Sequence, residues 1–132
     1  MPLKLTLKPG ERVIVAGAVL TNGSAVAHLT IENRVPLLRQ KDIMTEAEAK
    51  SPCKKIYLIV QLMYIGAGLT SELAQLYWDL ARDVLAAAPS TNDLISQMSA
   101  YIVESDFYPA LKTAKKLISY EEELIEHATT PG

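Results

Sequence analysis

The sequence predicts an α+β protein, in which a small N-terminal antiparallel β-sheet module is followed by an α-helical domain of four helices. Apolar and polar residues alternate over the first part of the chain, as is typical of strands, and apolar residues recur at helical spacing over the rest. The charges divide in the same way. Residues 1–56 contain nine basic and five acidic side chains, whereas residues 57–132 contain four basic and ten acidic ones. We therefore expect a basic β module over residues 1–44 and an acidic helical domain over residues 45–132.

The first predicted strand contains Leu3, Leu5 and Leu7, which alternate with polar residues and give the strand one apolar and one basic face. Pro9 and Gly10 follow it and indicate a tight turn. Extended segments are also predicted at residues 12–15, 18–20, 25–32 and 35–39. Short strands separated by turn residues indicate an antiparallel sheet.

Three short sequences indicate how these strands connect. Ala16-Gly17 indicates a bend or bulge, and Asn22-Gly23 is the dipeptide most typical of a β-hairpin. Pro36 cannot donate a backbone hydrogen bond, so the last strand is expected to be short or to lie at an edge. The module has no aromatic residue and is close to the smallest size that folds alone. We therefore expect either the helices or a second copy of the chain to cover its apolar face.

The helical domain begins with two sequences typical of helix N-termini. Thr45 and Glu48 have the spacing of a capping box, and Ser51-Pro52 places a capping serine before a proline in the first turn. The helix from residue 52 is expected to end near residue 65, because Gly66 and Gly68 follow. Thr70 or Ser71 is expected to cap a second helix that ends near residue 88, and further helices are predicted from 90–92 to about 102 and from 105 or 106 to about 128.

The last predicted helix carries an apolar stripe that includes Leu111, Ile118 and Leu124. Such a stripe is more often part of a core than of a binding surface. Its charged flanks, with lysines at 115 and 116 and glutamates at 121–123, also suit a helix that docks in a groove or dimerises. The sequence leaves both interpretations open, with these three side chains as the candidate partner-binding residues.

The composition disfavours several classes of function. Cys53 is the only cysteine and the two histidines are far apart in sequence, so neither an intrachain disulfide nor a metal site is expected. Cys53 itself is expected to be a small, half-buried side chain rather than a reactive thiolate. No nucleophile, base and orienting group occur together in a motif, so we expect neither an enzyme nor a cofactor. The longest apolar stretch, residues 56–69, is too short to span a membrane, and we expect a cytoplasmic protein.

Five segments of the chain, taken in order, resemble the FlbT family of flagellin translational regulators. They are residues 3–15, 18–23, 31–34, 38–44 and 56–64. The resemblance implies a bacterial cytoplasmic protein that associates with the 5′ untranslated region of flagellin messenger RNA and represses its translation or promotes its degradation. It leaves the direction of this regulation open.

The β module also resembles the carbon storage regulators, which are small strand-swapped dimers that bind messenger leaders. The similarity lies in the order of residues 5–11, a central hairpin, and residues 38–39 and 42–43. In those regulators the first strand and the arginine of the last strand form the RNA surface, which here implies Thr6, Lys8 and Arg39. Leu7 stands where that family has a basic residue.

We therefore expect the basic module to bind the flagellin messenger leader through contacts to phosphate. The candidate RNA-binding residues are Lys4, Thr6, Lys8, Arg12, Arg34, Arg39 and Lys41. Because residues 1–56 contain no aromatic side chain, we expect no base stacking. The alternative function is a protein-binding adaptor, whose helical domain engages a flagellar or regulatory protein without direct RNA binding. In either case we expect a homo-oligomer, in the form of a dimer.

Overall fold

The structure is a computed structural model that describes residues 2–129. The chain divides into two compact units, Met1–Ile43 and Met44–Gly132. Among residues 2–129, the first unit contains short strands and a 3₁₀ turn, and the second contains four α-helices. The predicted α+β class, with small antiparallel sheets followed by four helices, is confirmed.

Five short strands form two antiparallel sheets in the first unit. The strands are β1 (Leu3–Leu7), β2 (Arg12–Val15), β3 (Ala18–Thr21), β4 (Ala27–Ile31) and β5 (Leu37–Arg39). One sheet contains β1 and β4, and the other has the order β3-β2-β5. A 3₁₀ turn at Gln40–Asp42 follows the last strand. The last strand has three residues and lies at a sheet edge, which confirms the prediction made from Pro36.

The core of the first unit is formed by Leu5, Leu7 and Val13, all of which are almost completely buried. Leu5 pairs with Leu29 across β1 and β4, so both side chains project from the same face of that sheet. The residues that alternate with these leucines are exposed. The predicted division of β1 into an apolar and a basic face is therefore confirmed for the segment that contains the buried residues Leu5 and Leu7.

The sequence predicted a hairpin at Asn22-Gly23. In the structure the hairpin lies at Ala16-Gly17 instead. Val15 pairs with Ala18, and the two residues between them have φ angles of 50° and 87°. Positive φ at both central residues is what a two-residue hairpin requires. The expected bend or bulge is thus a tight turn between β2 and β3.

Asn22 acts differently because its side chain binds carbonyl groups. Its amide nitrogen donates to the carbonyl oxygens of Leu7, Lys8 and Ala25, at 3.2, 2.8 and 2.9 Å. These bonds tie the segment after β3 to the end of β1, and the following strand, β4, then pairs with β1. These hydrogen bonds of the Asn22 side chain therefore override the local preference of Asn22-Gly23 for a hairpin.

The second unit contains four α-helices joined by short links. They are α1 (Pro52–Leu62), α2 (Ser71–Ala87), α3 (Asn92–Val103) and α4 (Phe107–Thr129). A wide helical turn at Met63–Ala67 follows α1, and a 3₁₀ turn at Pro89–Thr91 precedes α3. Within the described part of the chain, no helix is both long enough and apolar enough to cross a membrane.

The N-termini of α1 and α2 carry predicted side-chain caps, whereas α3 has no side-chain cap. Ser51 Oγ accepts a hydrogen bond from the backbone N–H of Lys54, and Thr70 Oγ1 accepts one from Leu73. Thr45 and Glu48 also form the reciprocal bonds of a capping box, but these bonds close a turn before α1 rather than start a helix. The hydrogen bonds from Thr45 lower the pKa of the Glu48 carboxyl.

The core of the second unit is formed by side chains from all four helices. Its largest fully buried members are Ile56, Val60, Met63, Tyr77, Met98, Ile102 and Leu117. Burial raises the pKa of Tyr77, and its hydroxyl lies 2.7 Å from Ser99 Oγ. Helix α4 packs against α1 and α3, and α2 packs mainly against α1. The apolar stripe of α4 therefore supplies core residues over its first half, including Leu111.

Candidate nucleic-acid interface

The sheet of β1 and β4 has a polar face formed by Lys4, Thr6, His28 and Thr30. Lys4 pairs with Thr30 and Thr6 pairs with His28, and paired residues of antiparallel strands project from the same face. All four residues are exposed. We refer to these four residues as the polar sheet face. It offers the ammonium group of Lys4 and the hydrogen-bonding side chains of Thr6, His28 and Thr30 on an accessible surface.

His28, like Thr30, is a member of this face that the sequence did not single out. Its Nδ1 atom lies 3.3 Å from Thr6 Oγ1. The Asn22-Gly23 pattern predicts that β4 pairs with β3, which would place His28 beside the wrong strand. The alternation of the β4 segment does assign His28 to the polar side, so knowledge of the strand pairing is the information that was missing.

Arg39 belongs to the β3-β2-β5 sheet, and its side chain contacts the sheet of β1 and β4. Its Nη2 atom donates to the backbone carbonyl oxygen of Thr6 at 2.9 Å. Because Arg39 lies on β5, this bond connects the two sheets of the first unit. The arginine side chain keeps 38% of its surface exposed. The guanidinium group can therefore hold the sheets together and still offer N–H groups to a ligand.

A single carboxylate brings Lys8 and Arg39 together. The backbone N–H of Lys8 donates to Glu11 Oε1 at 2.8 Å, and Arg39 Nη2 lies 3.6 Å from Glu11 Oε2. Two of the candidate RNA-binding residues are therefore close together, because the backbone of Lys8 and the guanidinium of Arg39 contact the same carboxylate. In the described residues, Arg39 is the one candidate RNA-binding cation that forms an ion pair.

The remaining candidates lie in two further places. The backbone N–H of Arg12 donates to Gln40 Oε1 at 2.7 Å, so β2 begins beside the 3₁₀ turn that contains Lys41. Arg34 lies in the loop between β4 and β5. All three of these cationic residues are exposed. The structure thus collects Lys4, Thr6, Lys8 and Arg39 into one cluster and leaves the others as separate cations.

The charge of the first unit is positive. Residues 1–43 contain six basic and three acidic side chains, which gives a net charge of +3. Each strand of the β1–β4 sheet also has one edge that no strand covers within this part of the chain. The unit therefore combines cations, which can contact phosphates, with strand edges that no other strand covers, which can contact bases; on β1, side chains already bond the carbonyl groups of Thr6 and Leu7.

The residues singled out in the second unit have different environments. Leu111 is buried, whereas Ile118 and Leu124 are half-buried. Cys53 is buried, and this burial, followed by the contact with the Glu121 carboxylate, raises the pKa of its thiol to about 12. The prediction of an unreactive cysteine is supported by this environment. Among the described residues, no group of three or more His, Cys, Asp or Glu side chains is arranged to hold a metal ion.

Comparison with known proteins identifies the family. The family model described as "Flagellar protein FlbT" matches residues 3–125. This chain belongs to the FlbT family. The match includes both units and extends beyond residue 64, where the last of the five resembling segments ends, so the helices of the second unit are part of the FlbT pattern as well.

Curated FlbT relatives support the same assignment. A Bradyrhizobium diazoefficiens protein named "Probable flagellum biosynthesis repressor protein FlbT 1" is 45% identical over 125 residues, which cover 94% of this chain and 85% of the relative. The Caulobacter vibrioides protein named "Flagellum biosynthesis repressor protein FlbT" is 35% identical over 133 residues, which cover 98% of this chain and 94% of that protein. No solved structure matches the chain.

Proposed function

We propose that the chain is a post-transcriptional regulator of flagellum biogenesis, which binds the 5′ untranslated region of flagellin messenger RNA and represses its translation or promotes its degradation. Membership of the FlbT family and the repressor names of its relatives support the regulatory part of this proposal. A protein that acts on messenger leaders acts in the cytoplasm. It needs no catalytic site, so we propose a regulator and not an enzyme.

The observation that carries the RNA part is a cationic cluster of Lys4, Lys8 and Arg39, on and beside the polar sheet face. Lys4 and Lys8 are exposed, and the Arg39 side chain keeps 38% of its surface exposed although it also bonds Thr6. Phosphate groups bind such cations with release of counterions, which supplies most of the affinity of nucleic-acid complexes. An exposed cluster with a net positive unit behind it is the arrangement that this kind of binding requires.

Base recognition would rely on polar groups rather than on rings. The first unit has no aromatic side chain, so the stacking used by many RNA-binding sheets is absent. Thr6 and His28 offer hydroxyl and imidazole groups on the same face, and the uncovered strand edges offer backbone groups. We therefore propose that bases are read at the strand edge and that phosphates are bound by the lysines and by Arg39.

A homodimer is part of the proposal, because the first unit is small. Five apolar side chains of residues 2–43 are buried, namely Leu5, Leu7, Val13, Ile14 and Leu38, and several large apolar residues of the unit's strands and loops are exposed, namely Leu3, Val19, Leu20, Val26 and Leu29. Pairing with a second copy would cover part of this surface. The mass in solution tests this part, with a monomer at micromolar concentration as the contradicting result.

The RNA proposal is tested with a labelled flagellin leader and the full chain. We expect salt-sensitive binding, and we expect Lys4→Ala combined with Lys8→Ala to weaken it. Loss of two phosphate contacts lowers the slope of log affinity against log salt by about 1.4 for a single strand. The matched control is Lys50→Ala combined with Lys116→Ala, which removes the same charge from the second unit. Equal slopes for the two double variants would reject the proposed surface.

An adaptor function is the second candidate, because the second unit is acidic and contains an open apolar cavity. Residues 44–132 have seven basic and twelve acidic side chains, a net charge of −5. The cavity has a volume of about 300 Å³ and lies among α1, α2 and α4. Both functions can occur in one chain, since the cationic cluster and the cavity belong to different units.

A further inference from the structure

The cavity of the second unit has apolar walls. Cys53, Val84, Ala87 and Leu124 contribute to them, and the space is about 300 Å³. That volume accepts one leucine or phenylalanine side chain, and the cavity opens to solvent on one side. Leu124 is one of the residues that the sequence marks as a candidate for partner binding.

Two polar side chains that line this space, Glu121 and Thr91, are already bonded within the chain. The Glu121 carboxylate accepts hydrogen bonds from Ser51 Oγ and from the backbone N–H of Cys53, and Thr91 Oγ1 donates to the Ala88 carbonyl oxygen at 2.7 Å. A ligand therefore gains little binding free energy from polar atoms on the part that enters the cavity. The high pKa of the Cys53 thiol agrees with such a poorly solvated wall.

Hydrogen bonds between α1, α4 and the 3₁₀ turn before α3 hold the cavity walls in place. Glu121 ties α4 to the N-terminus of α1, and Tyr120 Oη donates to Ser90 Oγ at 2.6 Å, which ties α4 to the link before α3. A cavity held open in this way does not have to be formed by the ligand, so little ordering free energy is lost on binding.

The charge around the cavity selects the kind of ligand. Asp83 lines the cavity and is exposed, Glu121 lines it from α4, and the whole unit has a net charge of −5. An apolar group flanked by cations is the chemical complement of an apolar cavity with carboxylates beside it. Nucleic acid is disfavoured here by the same charges.

We propose that this cavity is a docking site for a partner protein, and that it takes one bulky apolar side chain from a polypeptide segment whose flanking residues are lysine or arginine. The proposal does not depend on RNA binding by the first unit. A second copy of this chain is the other possible occupant, and the experiment below distinguishes it from a partner protein.

The experiment uses fluorescein-labelled alanine-based peptides with one central anchor, either leucine or phenylalanine, and four flanking lysines. Their binding to the full chain is followed by fluorescence anisotropy. Replacement of the anchor by alanine, or of the lysines by glutamate, is expected to weaken binding by about tenfold or more. No binding by either lysine peptide at millimolar protein, or equal binding by the glutamate peptide, would overturn the proposal.

Variants of the chain locate the binding. Ala87→Phe is expected to fill the cavity and to weaken binding of the lysine peptides by about tenfold or more, whereas Ala86→Phe on the same helix is expected to change it by less than about twofold. Both alanines are exposed, so neither substitution crowds the core. Equal affinities of the two variants would overturn the proposal.

Two further measurements test the identity of the occupant. Asp83→Asn is expected to weaken binding of the lysine peptides about twofold to fivefold at low salt. A lower oligomer mass for Ala87→Phe, without peptide binding by the unsubstituted chain, would assign the cavity to a second copy. Unchanged leader binding by Ala87→Phe is expected, so failure of this proposal and failure of the RNA proposal are distinguishable.

Discussion

Removal of the Glu11 charge is expected to strengthen RNA binding. Glu11 contacts both the backbone of Lys8 and the guanidinium of Arg39. Glu11→Gln keeps a side-chain oxygen that can accept the hydrogen bond from Lys8 but removes the negative charge beside Arg39. A gain of affinity is informative because loss of folding does not produce one.

The size of this gain follows from the geometry. Glu11 Oε2 lies 3.6 Å from Arg39 Nη2, so a phosphate on another edge of the same guanidinium would lie about 7 Å from the carboxylate. Repulsion at that distance is about 0.6 kcal/mol in water and about 2.4 kcal/mol at an effective dielectric constant of 20. Screening at physiological salt reduces both values by roughly half. We expect affinity to rise about twofold to fivefold.

The assay is a titration of labelled flagellin leader at several salt concentrations, with Glu46→Gln as the control. Glu46 belongs to the second unit and is exposed, so the control removes the same charge outside the proposed RNA surface. The partly exposed ion pair contributes at most about 1 kcal/mol to stability, so the variant is expected to fold. Weaker or unchanged leader binding by folded Glu11→Gln, or an equal gain in the control, would refute the reasoning.

Three further predictions concern the fold. Ile102→Ala is expected to reduce the unfolding free energy of the helical unit by about 2–5 kcal/mol, because Ile102 is completely buried. Exposed Val103→Ala is the control for this urea titration, and equal losses would contradict the packing. Gly17→Ala is expected to speed hydrogen exchange of β2 and β3 amides about tenfold, because alanine at positive φ costs roughly 1–2 kcal/mol; unchanged rates would argue against the turn. Cys53 is expected to react with iodoacetamide at pH 8 much more slowly in the folded chain than in urea, and equal rates would contradict its burial. Since its folded pKa of about 12 exceeds the ordinary value of 9.0, its contribution to stability is present below pH 9.0 and is lost as pH rises towards 12.

Local signals in the sequence were enough to predict the elements of the fold. The alternation of Leu5 and Leu7 identifies β1, and Ser51 and Thr70 cap the helices that they were expected to cap. These predictions succeed because each depends on residues within a few positions of one another.

The pairing of the strands could not be predicted in the same way. Asn22-Gly23 has a strong hairpin preference, but the Asn22 amide binds carbonyl groups near residue 8, and β4 pairs with β1. Contacts between distant residues decide the outcome, and a short local pattern carries no information about them. The proximity of His28 to Thr6 was missed for this reason.

The candidate site was predictable as residue types but not as an arrangement. The basic residues of the first unit can be read directly from the sequence. The bond from Arg39 to the Thr6 carbonyl, and the shared contact of Lys8 and Arg39 with Glu11, depend on how two sheets meet. The cavity beside Leu124 likewise depends on the packing of three helices, which an apolar stripe on one helix does not specify.

The most direct test of RNA binding by the first unit is nuclear magnetic resonance of the full chain, labelled with nitrogen-15, during addition of unlabelled flagellin leader. We expect the amide signals of Lys4, Thr6 and His28 to shift first, together with those of their neighbours in the first unit. Shifts confined to residues 44–132, or no shifts at saturating leader concentration, would contradict the proposed RNA surface.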